Sequence, residues 1–172
     1  MSENQANQTQ SKPQSRSNTA AFLELKVPPV LVGAVVFALQ WLIAEVVPSW
    51  NLPIPMGRFF AVFLVMLGVC IALYGVISFR LASTTINPHT PHKTSALVCS
   101  GLYSRTRNPM YLGMALVLSG WAVHFANPLG FLCIPLFIAY MNTFQIEPEE
   151  RHLREQFPDD FNLYLTKTRR WI

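Results

Sequence analysis

Two short stretches of this chain carry most of its reactive side chains. The first is Arg105-Thr106-Arg107-Asn108-Pro109-Met110-Tyr111, preceded by Leu97-Val98 and by Gly101-Leu102-Tyr103; the second is Glu149-Glu150. An arginine presents a planar fork of donors that matches a carboxylate, and two adjacent acids present the opposite charge. Brought together, Arg107 and Glu149 or Glu150 give a pocket with both signs of charge, the complement of a zwitterionic ligand. The same residues also have plainer uses. A basic cluster ahead of an apolar run anchors a helix at a membrane surface, with Asn108-Pro109 opening the helix and Gly101 permitting a turn of positive φ. Two acids just after Pro148 favour a helix N-terminus electrostatically. Spacing alone leaves both readings open.

Other reactive groups form no pattern. His89 and His92 make an HxxH pair, but the prolines at 88 and 91 disfavour a helix that would align them, and no cysteine completes a metal set. Cys70, Cys99 and Cys133 have neither CxxC spacing nor pairing logic, so they read as reduced and structural, with a reactive Cys99 as the alternative. His124 lies in an apolar run and reads as a packed or interfacial residue. Glycine-rich nucleotide loops and a Gly-x-Ser-x-Gly elbow do not occur.

The elements that must position these groups are membrane helices. Hydrophobic residues make up 51% of the chain and charged ones only 13%, against about 25% in an ordinary soluble domain. The charges are segregated between apolar runs, as in membrane spans rather than a soluble core. Spans are expected at about 27–47 and 59–79, each long enough at about 1.5 Å per residue to cross the hydrocarbon layer. A further apolar stretch is broken by Asn127-Pro128-Leu129-Gly130, a turn sequence. It divides into spans at about 111–126 and 128–144, packed as a hairpin, with Gly113, Ser119 and Gly120 as small contact surfaces and Pro135 as a possible kink. The expected fold is therefore an all-α membrane protein of four transmembrane helices. Of the thirteen basic residues, only Arg58 falls on the side opposite the termini. That asymmetry, rather than nucleic-acid binding, accounts for the net charge of +4 and puts both termini in the cytoplasm.

The polar tract 1–20, rich in Gln, Asn, Ser and Thr, holds too little apolar surface to offset ordering and is expected to be a disordered cytoplasmic tail. Residues 21–172 form one domain. Two cytoplasmic segments, 81–110 and 147–172, are too elaborate for connectors. In the second, Leu153, Phe157, Phe161 and Leu165 recur every four residues, and Pro158-Asp159-Asp160 divides it into two short helices that lie on the membrane or close over the bundle.

Three separated signatures carry a resemblance over roughly residues 84–171. Leu97-Val98-x-x-Gly101-x-Tyr103-x-x-x-Arg107-Asn108-Pro109-Met110-Tyr111-Leu112-Gly113, then Asn127-Pro128, then Ile146-x-x-Glu149-Glu150-x-x-Leu153 resemble the isoprenylcysteine carboxyl methyltransferase family, one of the membrane methyltransferases that include phospholipid N-methyltransferases. The ending Phe157-x-x-x-Phe161-x-x-Tyr164 is similar to theirs, with Pro158 in place of glycine. Asn108 stands where eukaryotic members have histidine, as in many bacterial relatives, and cannot act as a base near neutral pH.

The resemblance implies a cytoplasmic site for S-adenosyl-L-methionine with a lateral opening to lipid, in a bacterial inner membrane. It implies Arg107 and Glu150 as catalytic groups. Leu97, Val98, Gly101, Tyr103, Arg107, Asn108, Pro109, Tyr111, Glu149 and Glu150 would be cofactor-binding, Arg107 facing the carboxylate and one of the acids the ammonium or ribose hydroxyls. The partners implied are membrane lipids and a lipophilic or membrane-partitioning methyl acceptor, without metal or nucleic acid. A phospholipid N-methyltransferase and a non-catalytic membrane scaffold are the alternatives.

Overall fold

A computed structural model describes residues 27–84 and 97–172. The expected tail at 1–20 and the His89/His92 pair lie outside the described residues. Among those described, the chain forms six helices: α1 Pro29–Val46, α2 Gly57–Thr84, α3 Pro109–Phe125, α4 Pro128–Met141, α5 Glu147–Gln156 and α6 Pro158–Lys167. No named strand occurs among them. Helices α1 and α2 are long and apolar enough to cross a membrane, as is the continuous helical run Pro128–Gln156; α3, at 17 residues, is a shorter apolar helix. Seventeen residues rise about 25 Å, the short end of what a span needs.

Composition dictates this placement. Side chains such as Val30, Val35, Trp41 and Val46 on α1, and Phe59, Phe63 and Ile77 on α2, are exposed along the helices. An apolar surface of that extent is not tolerated in water; in lipid it costs nothing. With no hydrophobic drive between helices there, close packing decides the contacts, and small residues supply it. A Cβ on Gly113 would sit 2.5 Å from the Gly68 carbonyl oxygen, and one on Gly120 would sit 2.8 Å from that of Ala61. Helix α3 thus lies directly on α2 along much of its length. The expected small surfaces Gly113 and Gly120 make this contact, whereas the Ser119 hydroxyl bonds within its own helix to the Ala115 carbonyl at 2.7 Å.

Polar residues tie the other helices in. The buried Gln40 of α1 donates to the Leu118 and Gly130 carbonyls at 3.3 and 3.2 Å, reaching both α3 and α4. At the α3–α4 turn Ala126 is left-handed, with φ 53°. Asn127 caps α4 by accepting from the Leu129 N–H at 3.1 Å. Its amide donates to the Val47 carbonyl at 3.1 Å and Asn51 at 2.8 Å, closing the loop after α1 against the hairpin. At the opposite end Gln145 donates to the Val27 carbonyl at 2.8 Å, so the start of α1 and the end of α4 meet at the arginine-bearing end.

Two boundaries differ from expectation. Helix α2 continues past Phe79 to Thr84, because an arginine at a span end extends its charged head to the interface without ending the helix. Helix α4 does not stop near Phe144: a π turn, Asn142–Ile146, carries it into α5. Pro148 falls in the first turn of α5, where its missing N–H costs little.

Candidate functional site

The chain before α3 is shaped by Gly101, which has φ 63°. A Cβ there would come within 2.5 Å of the Tyr74 hydroxyl, so both conformation and space require glycine. The 3-10 turn Gly101–Ser104 then buries Tyr103, whose hydroxyl donates to the Gly75 carbonyl at 3.4 Å. Tyr164 of α6 donates to the Tyr103 carbonyl at 2.5 Å, fastening the last helix over this turn.

Residues 106–108 run beside the C-terminal strap 168–171. Thr106 and Arg169 form an isolated parallel bridge, and the Arg107 N–H donates to the Arg169 carbonyl at 3.0 Å. The Arg170 carbonyl accepts from the Asn108 amide at 3.0 Å and from the Thr106 hydroxyl at 3.3 Å. Trp171 donates to Asn142 at 3.0 Å, attaching the strap to the π turn. A π turn in a span is costly and often marks a working site; here it turns Glu149 and Glu150 towards the first residues of α3.

The two acids have different partners. Glu150 is paired with Arg107, at 3.1 Å from Nε and 3.0 Å from the terminal nitrogen Nη2, and with Arg170, at 3.2 Å from Nε and 2.7 Å from Nη2. A third Arg107 nitrogen donates to the Thr168 carbonyl. Glu149 instead accepts from the Tyr111 hydroxyl at 2.6 Å. Burial pushes the Glu149 carboxyl above its usual range; the Tyr111 hydrogen bond opposes this and the charge of Glu150 adds to it. Burial acts on Glu150 the same way, but hydrogen bonds and charge from Arg170 and then Arg107 overrule it and hold the carboxyl below the usual range.

Between α2, α3, α5 and α6 lies a cavity of about 130 Å³. Tyr103, Arg107, Asn108, Pro109, Tyr111, Glu149 and Glu150 line it, with Phe79, Met110, Leu153, Phe161 and Tyr164. Seven of the residues singled out by sequence therefore converge. Leu97 lines a second hollow of about 380 Å³ with Cys99, Asp160 and Lys167, sharing only Tyr164 with the first. Val98 and Gly101 line neither, Gly101 contributing through its turn. Sequence reasoning missed Arg170, Thr168 and Phe79. Nothing in the local sequence around Arg170 distinguishes it from the neighbouring Arg169; chain reversal after α6 alone selects it. No group of three or more His, Cys, Asp or Glu that could hold a metal ion occurs among the described residues.

Residues 56–160 match the phospholipid methyltransferase family. An uncharacterized protein of Haemophilus influenzae is 40% identical over 63 residues, which is 37% of this chain and the whole of that protein. No solved structure matches the chain. The family match spans more than half of the sequence and includes α2, α3 and α5 with most of the cavity lining. By that match and its apolar helices, the chain is a membrane protein that belongs to the phospholipid methyltransferase family.

Proposed function

We propose that the chain is an S-adenosylmethionine-dependent methyltransferase acting on a lipophilic acceptor at the cytoplasmic face of a bacterial inner membrane. The observation that carries this reading is the half-buried Glu149 carboxylate, bonded to the Tyr111 hydroxyl and facing a cavity that Arg107 also lines. The donor set fits the cofactor. Arg107 has the planar fork for a carboxylate, Glu149 the charge for an ammonium or the acceptors for ribose hydroxyls, and the rings of Tyr103, Phe161 and Tyr164 the faces for adenine. Gly101 sets the turn that buries Tyr103, Asn108 and Pro109 fix the start of α3, and Glu150 aims Arg107.

S-Adenosylmethionine supplies, when bound, a methyl group on a cationic sulfonium. The protein's part is to hold the reactants in line and keep water away, since methyl transfer needs little else from its catalyst. Phe79, Met110, Leu153 and Phe161 supply the apolar walls. The family favours a phospholipid headgroup nitrogen as acceptor, and the resemblance of Arg107-Asn108-Pro109 and Glu149-Glu150 to prenylcysteine enzymes supports a carboxylate. Alkali separates them, because a methyl ester releases methanol in base and a methylamine does not. Both termini lie in the cytoplasm by the distribution of basic residues.

Calorimetric titration of the detergent-solubilised protein with S-adenosylhomocysteine tests the reading. Saturable binding that is weakened in Arg107→Lys, which keeps the charge and loses the fork, is the expected result. Absence of binding would leave a membrane scaffold of the same fold.

A further inference from the structure

Arg107 is the cavity's cation, yet all three of its guanidinium nitrogens are engaged, two with Glu150 and one with Thr168. To take a ligand carboxylate it must loosen its hold on Glu150. Glu150 is buried, its side chain 11% exposed, and a buried carboxylate stripped of its partner is strongly unfavourable. The structure supplies a second partner. Arg170 reaches both carboxylate oxygens, Oε1 through Nε at 3.2 Å and Oε2 through Nη2 at 2.7 Å, and does not line the cavity. Its backbone is independently fixed, because the Arg170 carbonyl accepts from Thr106 and Asn108.

We propose that Arg170 is a positioning residue that keeps Glu150 paired while the Arg107 guanidinium turns from Glu150 to a ligand carboxylate. This rests on the cofactor reading above. Without Arg170, Glu150 holds Arg107 as its one guanidinium, and recruitment of Arg107 by a ligand leaves the acid bare. Arg170 therefore governs preference for ligands that carry a carboxylate, and no other part of recognition.

The test compares two ligands on the full-length protein in detergent: S-adenosylhomocysteine, and S-adenosyl-3-thiopropylamine, the same molecule without its carboxylate. Affinities are measured for the unaltered chain, Arg170→Gln and Arg170→Lys. The expected result is that Arg170→Gln weakens S-adenosylhomocysteine by about tenfold, the scale of one charged hydrogen bond, and leaves the carboxylate-free ligand unchanged. Arg170→Lys restores part of the preference, because it returns the charge without the fork, and it stands in if the glutamine variant does not fold. Equal weakening of both ligands would show a merely structural Arg170, and unchanged preference would show that Arg107 needs no substitute; either overturns the proposal. Failure of the unaltered chain to bind either ligand would instead overturn the cofactor reading on which it rests.

Discussion

Glu149 and Glu150 are neighbours on one helix turn, yet their removal should have unequal consequences. In Glu150→Gln the acid loses charge-assisted hydrogen bonds from Arg107 and Arg170. The new amide turns its own NH₂ towards a guanidinium, and two cations are left close together, Arg170 retaining Glu147 at 3.8 Å. Removing one partner of a buried ion pair costs about 3–5 kcal/mol. The Arg170 side chain is 32% exposed, so solvent screens part of that loss. A figure of about 3 kcal/mol follows for the whole substitution. Glu149→Gln is different. Its amide oxygen still accepts from Tyr111, and the substitution removes a charge whose burial was unfavourable. The expected cost is below about 1 kcal/mol. Thermal unfolding of both variants in one detergent measures the contrast. At about 2–4 °C per kcal/mol for a chain of this size, Glu150→Gln should melt about 6–12 °C lower and Glu149→Gln within about 4 °C of the unaltered protein. Equal shifts, or a larger one for Glu149→Gln, would refute the assignment of Glu150 as the paired acid.

The same pair predicts opposite pH dependences. The lowered Glu150 contributes stability that is present above the ordinary carboxylate pKa of about 4.3 and lost as pH falls through its folded value. The raised Glu149 contributes stability that is present below about 4.3 and lost as pH rises through its folded value. Unfolding midpoints across acidic to neutral pH should therefore lose their decline on the alkaline side in Glu149→Gln and their decline on the acid side in Glu150→Gln. In the bundle, Gly113→Ala should force α2 and α3 apart, since the added carbon would sit 2.5 Å from a backbone oxygen; a loss of about 1–3 kcal/mol is expected in a chemical unfolding titration. Reporter fusions at either terminus should both register in the cytoplasm, and a C-terminus on the far side would separate the cavity from its cofactor.

The spans were legible because lipid imposes a coarse rule: long uncharged apolar runs, bounded by arginines, prolines and the Asn127-Pro128 turn. The division of the tail at Pro158 was equally legible, from a four-residue apolar period and a proline. What sequence could not show was pairing across distance. Tyr111 meets Glu149 across 38 positions and Arg107 meets Glu150 across 43; sequence placed all four residues near one end of the bundle without deciding which acid faced which partner. Arg170 was invisible for a stronger reason. It sits among like charges that the membrane rule already explains, and its contact with Glu150 depends on the strap bridge between Thr106 and Arg169. The π turn was hidden too, because Asn142–Ile146 carries no residue that marks it, and only the tertiary placement of the acids calls for it.

Methyl transfer into lipid tests the central claim most directly. Membranes containing the protein, incubated with S-adenosylmethionine labelled in its methyl group, should transfer label to an organic-extractable lipid. Transfer should fall by about tenfold or more in Arg107→Gln and in Glu149→Gln, each of which removes an interaction of charged-hydrogen-bond strength with the cofactor. The label should persist in alkali if the acceptor is a headgroup nitrogen. Label confined to the aqueous phase, equal to that of membranes lacking the protein, would contradict the account.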